Sequence, residues 1–104
     1  VYPPTINDAG QTAFAATVAR EELGADRVIG DIEPVMPSED FSFLLQKVPG
    51  GYAFLGNGDG EHRGHEHGIG PCELHNASFD FNDELLPAGA TYIVRLVQAF
   101  LSQP

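Results

Sequence analysis

The C-terminal apolar side chains recur with a helical period, and little else in the chain is built to cover them. Leu86, Ala90, Ile93, Val94, Val97, Phe100 and Leu101 fall at i, i+4, i+7, i+8, i+11 and then i+14 and i+15. A stripe of that kind is the buried face of an amphipathic helix. The spacing predicts a helix over residues 86–102 packed on a sheet, with Pro87 tolerated in its first turn. The sheet is harder to find. Residues 27–33 hold Val28, Ile29 and Ile32, with Gly30 as a bulge, and residues 52–55 are the apolar run Tyr52-Ala53-Phe54-Leu55. Both read as strands, the second as one covered on both faces. Two or three short strands make a poor independent sheet. The physical expectation is a polypeptide that belongs to something larger. Residue 1 is Val, in Val1-Tyr2-Pro3-Pro4, as in the interior of a longer sequence.

The remaining elements alternate with these strands. Pro3 and Pro4 keep residues 1–5 extended. Asn7 or Asp8 caps a helix running to about Glu22, with Phe14 and Val18 on its apolar face and Gly24 as its left-handed stop. Ser38 is placed to cap a helix reaching about Lys47, with Phe41, Leu44 and Leu45 as its buried side. Strands interleaved with about three helices give an α/β class.

Charge excludes some partners. Five Lys and Arg against fifteen Asp and Glu leave a net charge of −10. Such a chain does not neutralise a run of phosphates, so nucleic acid is not expected as a partner, nor is an anionic membrane. No apolar run approaches the roughly 18–20 residues that span a bilayer. The single cysteine, Cys72, permits no internal disulfide and favours a reducing, cytoplasmic setting.

Several residues are candidates for chemistry. His75 precedes a carboxylate-bearing stretch, Phe79-Asp80-Phe81-Asn82-Asp83. Its imidazole is a metal ligand by type, with Asp80 or Asp83 available to fix its tautomer; the alternative is an ordinary histidine at a loop–helix junction. His62, His65 and His67 lie in a glycine-rich loop over residues 57–71. They read as chelators of a divalent ion or, more simply, as solvated loop. Cys72 stands three residues before His75, but no second Cys/His pair completes a site. Ser38, Glu39 and Asp40 sit at a helix start, where amides and a hydroxyl suit an anionic group such as a substrate carboxylate. Two carboxylates already occupy that field, so a plain cap is the simpler local reading.

Taken in order, Tyr2-Pro3-Pro4-Thr5-Ile6-Asn7-Asp8, Pro34-Val35-Met36-Pro37-Ser38-Glu39-Asp40-Phe41, Val48-Pro49-Gly50, Phe54-Leu55-Gly56 and Leu74-His75-Asn76 through Phe79-Asp80-Phe81-Asn82-Asp83 form a set. The set resembles the C-terminal stretch of the hippurate hydrolase and N-acyl amino acid amidohydrolase family, relatives of the zinc carboxypeptidases of the aminoacylase and carboxypeptidase G type. The resemblance covers essentially the whole chain. It implies the C-terminal segment of a zinc-peptidase-like catalytic domain, with short strands of a larger mixed sheet packed by about three helices. Residues 1–5 would be the exit strand from a missing lid or dimerisation domain, and residues 6–104 the C-terminal part of the catalytic domain.

The resemblance further implies two divalent metal ions (zinc, or manganese or cobalt) and hydrolysis of an N-acyl amino acid or short peptide. His75 corresponds to the last metal-binding histidine. Ser38, Glu39, Asp40 and Asn76 take positions beside the metal ligands or against substrate. A homo-oligomer built through the missing lid domain is expected of the parent. Two positions depart from the family pattern: Pro37 stands where glycine is common, and Ala77 where proline is common. The other ligands and the general base are absent from this sequence, so no catalytic residue is assigned and the isolated chain is expected to be inactive. The rival reading is a free-standing histidine-rich metal-binding or interaction module.

Overall fold

The computed structural model describes residues 2–35, 39–58, 79 and 81–104. Three α-helices and one 3-10 turn make up its regular structure: α1 (Ala9–Leu23), the turn Ala25–Arg27, α2 (Phe41–Leu45) and α3 (Leu85–Leu101).

Helix α1 begins where Asp8, in extended geometry, turns its side chain back to accept from the Gln11 N–H at 2.9 Å. That satisfies one of the donors a helix start leaves unpaired. The helix ends at Gly24, whose φ of +96° favours glycine; a Cβ there would sit 2.9 Å from Asp26 Oδ1. Gly24 N–H closes on the Arg20 carbonyl at 3.0 Å. The cap and stop both fall where the sequence puts them.

Helix α3 packs on α1. Tyr92 Oη donates to the Ala15 carbonyl at 2.9 Å, and the Phe14 and Phe100 rings meet edge-on at 6.4 Å. Glu22 and Arg95 pair at 3.6 Å at the exposed margin. The α3 residues that are partly covered are Leu85, Ala88, Gly89, Tyr92, Leu96 and Ala99. The stripe predicted to be buried lies on the other side. Leu86, Ile93, Val94, Val97 and Leu101 are each more than half exposed. The helix therefore carries two apolar stripes, and α1 covers only the weaker one.

Among the described residues only Val18 and Ala19 are buried hydrophobics. The radius of gyration is 15.8 Å, against about 13 Å for a compact domain of ~100 residues. The two segments read as strands enter no ladder among the described residues. Val28 has strand-like geometry (φ −118°, ψ 122°), yet Arg27 closes the 3-10 turn, and Ile29 and Ile32 face solvent. Residues 52–55 likewise expose Phe54 and Leu55. The larger mixed sheet of the α/β reading thus has no paired strand among the described residues. Extended backbone in a sheet finds its N–H and C=O partners on a neighbouring strand, and no such strand pairs with these segments among the described residues.

Helix α2 is shorter than expected. It runs Phe41–Leu45 with Asp40, not Ser38, at its N-cap position, and Asp40 makes no side-chain capping bond. Its buried member is Ser42, whereas Leu44, expected inside, is 60% exposed. Phe43 turns toward Tyr2, ring centroids 5.6 Å apart. The Leu44 carbonyl accepts from both Lys47 and Val48 N–H, ending the helix before Pro49. No described helix is long and apolar enough to cross a membrane.

Candidate functional site

The turn that enters α2 is held by a segment far away in sequence. Asn7 lies just before α1. Its Oδ1 accepts from the Tyr52 N–H at 2.8 Å, and its Nδ2 donates to the Tyr52 carbonyl at 3.1 Å. One amide side chain thus does for Tyr52 what a neighbouring strand would do. Beside it, the Asp8 N–H donates to the Gly50 carbonyl at 2.8 Å. The Tyr52 ring then lies between Phe41 (5.7 Å) and Phe54 (5.6 Å). Its hydroxyl donates to Glu39 Oε2 at 3.1 Å.

The other Glu39 oxygen, Oε1, accepts from the Phe41 N–H at 3.4 Å. Ser42 and Phe43 N–H groups donate to the Glu39 and Asp40 carbonyls, at 3.1 and 3.0 Å. The first amides of α2 are therefore engaged by Glu39 and Asp40 themselves. The expected use of these amides, to hold an anionic ligand, has no unoccupied donor at Phe41, Ser42 or Phe43. The carboxyl groups of Glu39 and Asp40 share a hydrogen bond. It holds Glu39 below the usual carboxylate range, with the Phe41 amide and Tyr52 hydroxyl acting the same way. The same bond raises Asp40, reinforced by the negative charge of Glu39. The Glu39 bond also raises the Tyr52 phenol, helped by partial burial. One carboxyl thus ionises early and its neighbour late.

An asparagine pair, Asn57 and Asn82, lies on either side, in sequence, of the histidine-bearing segment. Asn82 N–H donates to Asn57 Oδ1 at 2.9 Å, and Asn82 Nδ2 to the Asn57 carbonyl at 3.5 Å. Asn82 Oδ1 accepts from the Glu84 N–H at 3.1 Å, and its carbonyl from Leu85 at 3.0 Å, so Asn82 caps the approach to α3. Gly58 has φ +85°, and a Cβ on it would come within 3.0 Å of Asn82 Nδ2.

Of the residues singled out by sequence, Glu39 and Asp40 are brought together at the α2 turn. Ser38, His62, His65, His67, Cys72, His75, Asn76 and Asp80 lie outside the described residues. Among the described residues no three His, Cys, Asp or Glu side chains converge as a metal site would require. Sequence reasoning missed Asn7 as a clamp, Tyr52 as a donor to Glu39, and the Asn57–Asn82 pair. An asparagine at a helix start is ordinarily a cap, and here Asp8 takes the cap and frees Asn7.

Residues 1–99 match the model of peptidase family M20/M25/M40. The chain belongs to this family. Hippurate hydrolase of Campylobacter jejuni is 37% identical over 101 residues, covering 97% of this chain and 24% of that protein. IAA-amino acid hydrolase ILR1-like 5 of Arabidopsis thaliana is 34% identical over 100 residues, 96% of this chain and 21% of that protein. Thermostable carboxypeptidase 1 of Saccharolobus solfataricus is 35% identical over 91 residues, 86% and 20% of the two. The M20/M25/M40 chain thus spans between a fifth and a quarter of the length of these relatives. No solved structure matches it. Enzymes of the M20 family generally use divalent metal ions, typically zinc. The matched span includes the α2 turn, the Tyr52 run and the position of His75.

Proposed function

We propose that this chain is the C-terminal part of the catalytic domain of a metal-dependent amidohydrolase that cleaves the amide bond of N-acyl amino acids or short peptides. The match over residues 1–99, with relatives named for hydrolysis of hippurate and of IAA–amino acid conjugates, carries this reading. The uncovered stripe of α3, and the runs at 27–33 and 52–55 that enter no strand ladder among the described residues, support a place inside a larger domain. Residues 1–5 then return from a lid domain, and the parent pairs through that lid. Its single thiol suits a cytoplasmic setting.

In this reading His75 donates one imidazole nitrogen to one of two divalent ions, zinc or an equivalent such as manganese or cobalt. The ions supply Lewis acidity and a nucleophilic water at neutral pH. Ser38, Glu39, Asp40 and Asn76 line the substrate side. Glu39 keeps a fixed negative charge there, and Asp40 keeps its proton to higher pH than a free aspartate. The remaining ligands and the general base come from the rest of the parent, so the isolated chain does not hydrolyse amides.

The test is His75→Ala in the parent polypeptide. The expected result is loss of one metal equivalent by elemental mass spectrometry, with kcat/KM for hippurate lower by at least ~10²-fold, as an interaction made in the transition state requires. Two retained metals and unchanged kcat/KM would overturn the assignment. Tight zinc binding by the isolated chain through His62, His65 and His67, read by NMR, would instead favour a free-standing module.

A further inference from the structure

We propose that Tyr52 is a positioning residue of the hydrolase site, bracing the Glu39 carboxylate and through it the turn that leads from Glu39 and Asp40 into α2. This role rests on the assignment of Ser38, Glu39 and Asp40 to the substrate side of the site. The geometry behind it is independent of that assignment.

Tyr52 is restrained at both ends. Its backbone N–H and carbonyl are both taken by the Asn7 side chain (2.8 and 3.1 Å), and its ring is flanked by Phe41 and Phe54. A phenol with its backbone tied and its ring wedged has little freedom left in where its oxygen points. That oxygen lies 3.1 Å from Glu39 Oε2, while the backbone N–H of Phe41 reaches Oε1. Donors from two separate segments thus take the two carboxylate oxygens. Glu39 cannot swing without breaking at least one of these bonds. A neutral phenol donating to a carboxylate is a charge-assisted bond, stronger than one between neutral groups. The Tyr52 phenol is raised by its bond to Glu39, so it stays a donor throughout the range in which a hydrolase works. The chain of contact runs from the entry segment at Asn7, through Tyr52 and Glu39, to the start of α2. It couples residues 45 positions apart in sequence to the turn.

The experiment pairs Tyr52→Phe with Glu39→Gln in the parent enzyme. Tyr52→Phe keeps both ring contacts and the Asn7 clamp, and removes only the hydroxyl. We expect KM for hippurate to rise about threefold to tenfold, the range of one part-buried charge-assisted bond, with kcat within twofold and the thermal midpoint within ~2 °C. The double variant is expected to be no worse than Glu39→Gln alone, because both act through one contact. If Glu39→Gln raises KM and Tyr52→Phe leaves KM unchanged, the brace is wrong while the site reading stands. If neither variant changes KM or kcat, the assignment of the turn to substrate is itself wrong. A loss in Tyr52→Phe that appears only as a lower thermal midpoint makes Tyr52 merely structural and overturns the role. An independent readout is the ultraviolet titration of the phenols in the 104-residue chain. Glu39→Gln should return one raised phenol toward the ordinary tyrosine value, and an unchanged titration overturns the contact.

Discussion

The Asn7 side chain hydrogen-bonds both backbone polar groups of Tyr52, closing a loop of 45 residues with one amide. It stands in for a strand at a place where the run at 52–55 enters no ladder among the described residues. Asn7→Ala should cost about 1 kcal/mol, near the net value of one to two partly solvated hydrogen bonds. Asn7→Asp should cost at least as much at neutral pH, since a carboxylate would face the Tyr52 carbonyl. Urea denaturation of the two variants checks both statements, and Asp equal to wild type would contradict the clamp.

The Tyr92 hydroxyl joins α3 to the Ala15 carbonyl in α1. Tyr92→Phe should cost about 1 kcal/mol, one net hydrogen bond. Burial pushes the Tyr92 phenol up. The folded state therefore holds that proton more tightly than the unfolded state does. This contribution is fully present below the unfolded value of about 10 and is lost as pH rises through the raised folded value. Thermal midpoints measured from pH 8 to 11 should fall at the alkaline end for wild type, and less steeply for Tyr92→Phe.

At the acidic end the signs differ between two neighbours. Glu39 is lowered in the folded chain, so its contribution is present above the ordinary carboxylate value and disappears as pH falls through the lowered one. Asp40 is raised, so its contribution is present at low pH and is lost as pH climbs through its raised value. The two partly offset each other. Because the Glu39 carboxyl is also the main cause of the rise in Asp40, Glu39→Gln should remove both trends and flatten the acid-side dependence. Midpoints between pH 3 and 6 would show this as a change in slope.

Asn82 bonds to Asn57 and to the Glu84 N–H, and is nearly buried. Asn82→Ala should cost roughly 1–2 kcal/mol, as cap losses do. Gly58→Ala should cost about 1 kcal/mol or more, since L residues are strained at positive φ. Amide hydrogen exchange at residues 84–86 should quicken in Asn82→Ala while exchange within α1 is unaffected.

The outer face of α3 offers a test of its own. Ile93→Ser and Val97→Ser should change the stability of the isolated chain by no more than about 0.5 kcal/mol, because both side chains are already exposed. In the parent the same changes should cost roughly 1–3 kcal/mol each, the value of a large apolar side chain taken out of water. Equal effects in the two settings would mean that nothing covers this face.

Elements governed by local chemistry were legible in the sequence. Asp8 and Gly24 bound α1 because capping and positive φ are decided within a few residues. The period of α3 marked a helix for the same reason. Which stripe of α3 faces α1 was not legible. The stronger stripe, Ile93 to Leu101, pointed to a sheet that the described residues do not contain, and the alanine-rich side of α1 took the weaker one. Residues 27–33 and 52–55 have strand composition, but pairing is a property of two segments, and no partner strand adjoins them among the described residues. At the candidate site Glu39 and Asp40 were singled out at a helix start, where local chemistry favoured a plain cap, and their place beside substrate came only from the resemblance. Tyr52 was not singled out, because its role depends on contacts with Glu39 and Asn7 that no short window contains.

The bare flank of α3 also bears on how sequence variation in this chain should be interpreted. A saturation screen run on the 104 residues by themselves would score Ile93, Val94 and Val97 as permissive. If α3 is covered in a larger parent as proposed, selection on that parent would treat those same positions as among the least forgiving. On the proposed reading, the positions that look idle in the 104 residues by themselves are the ones to probe first for what lies against them in the parent.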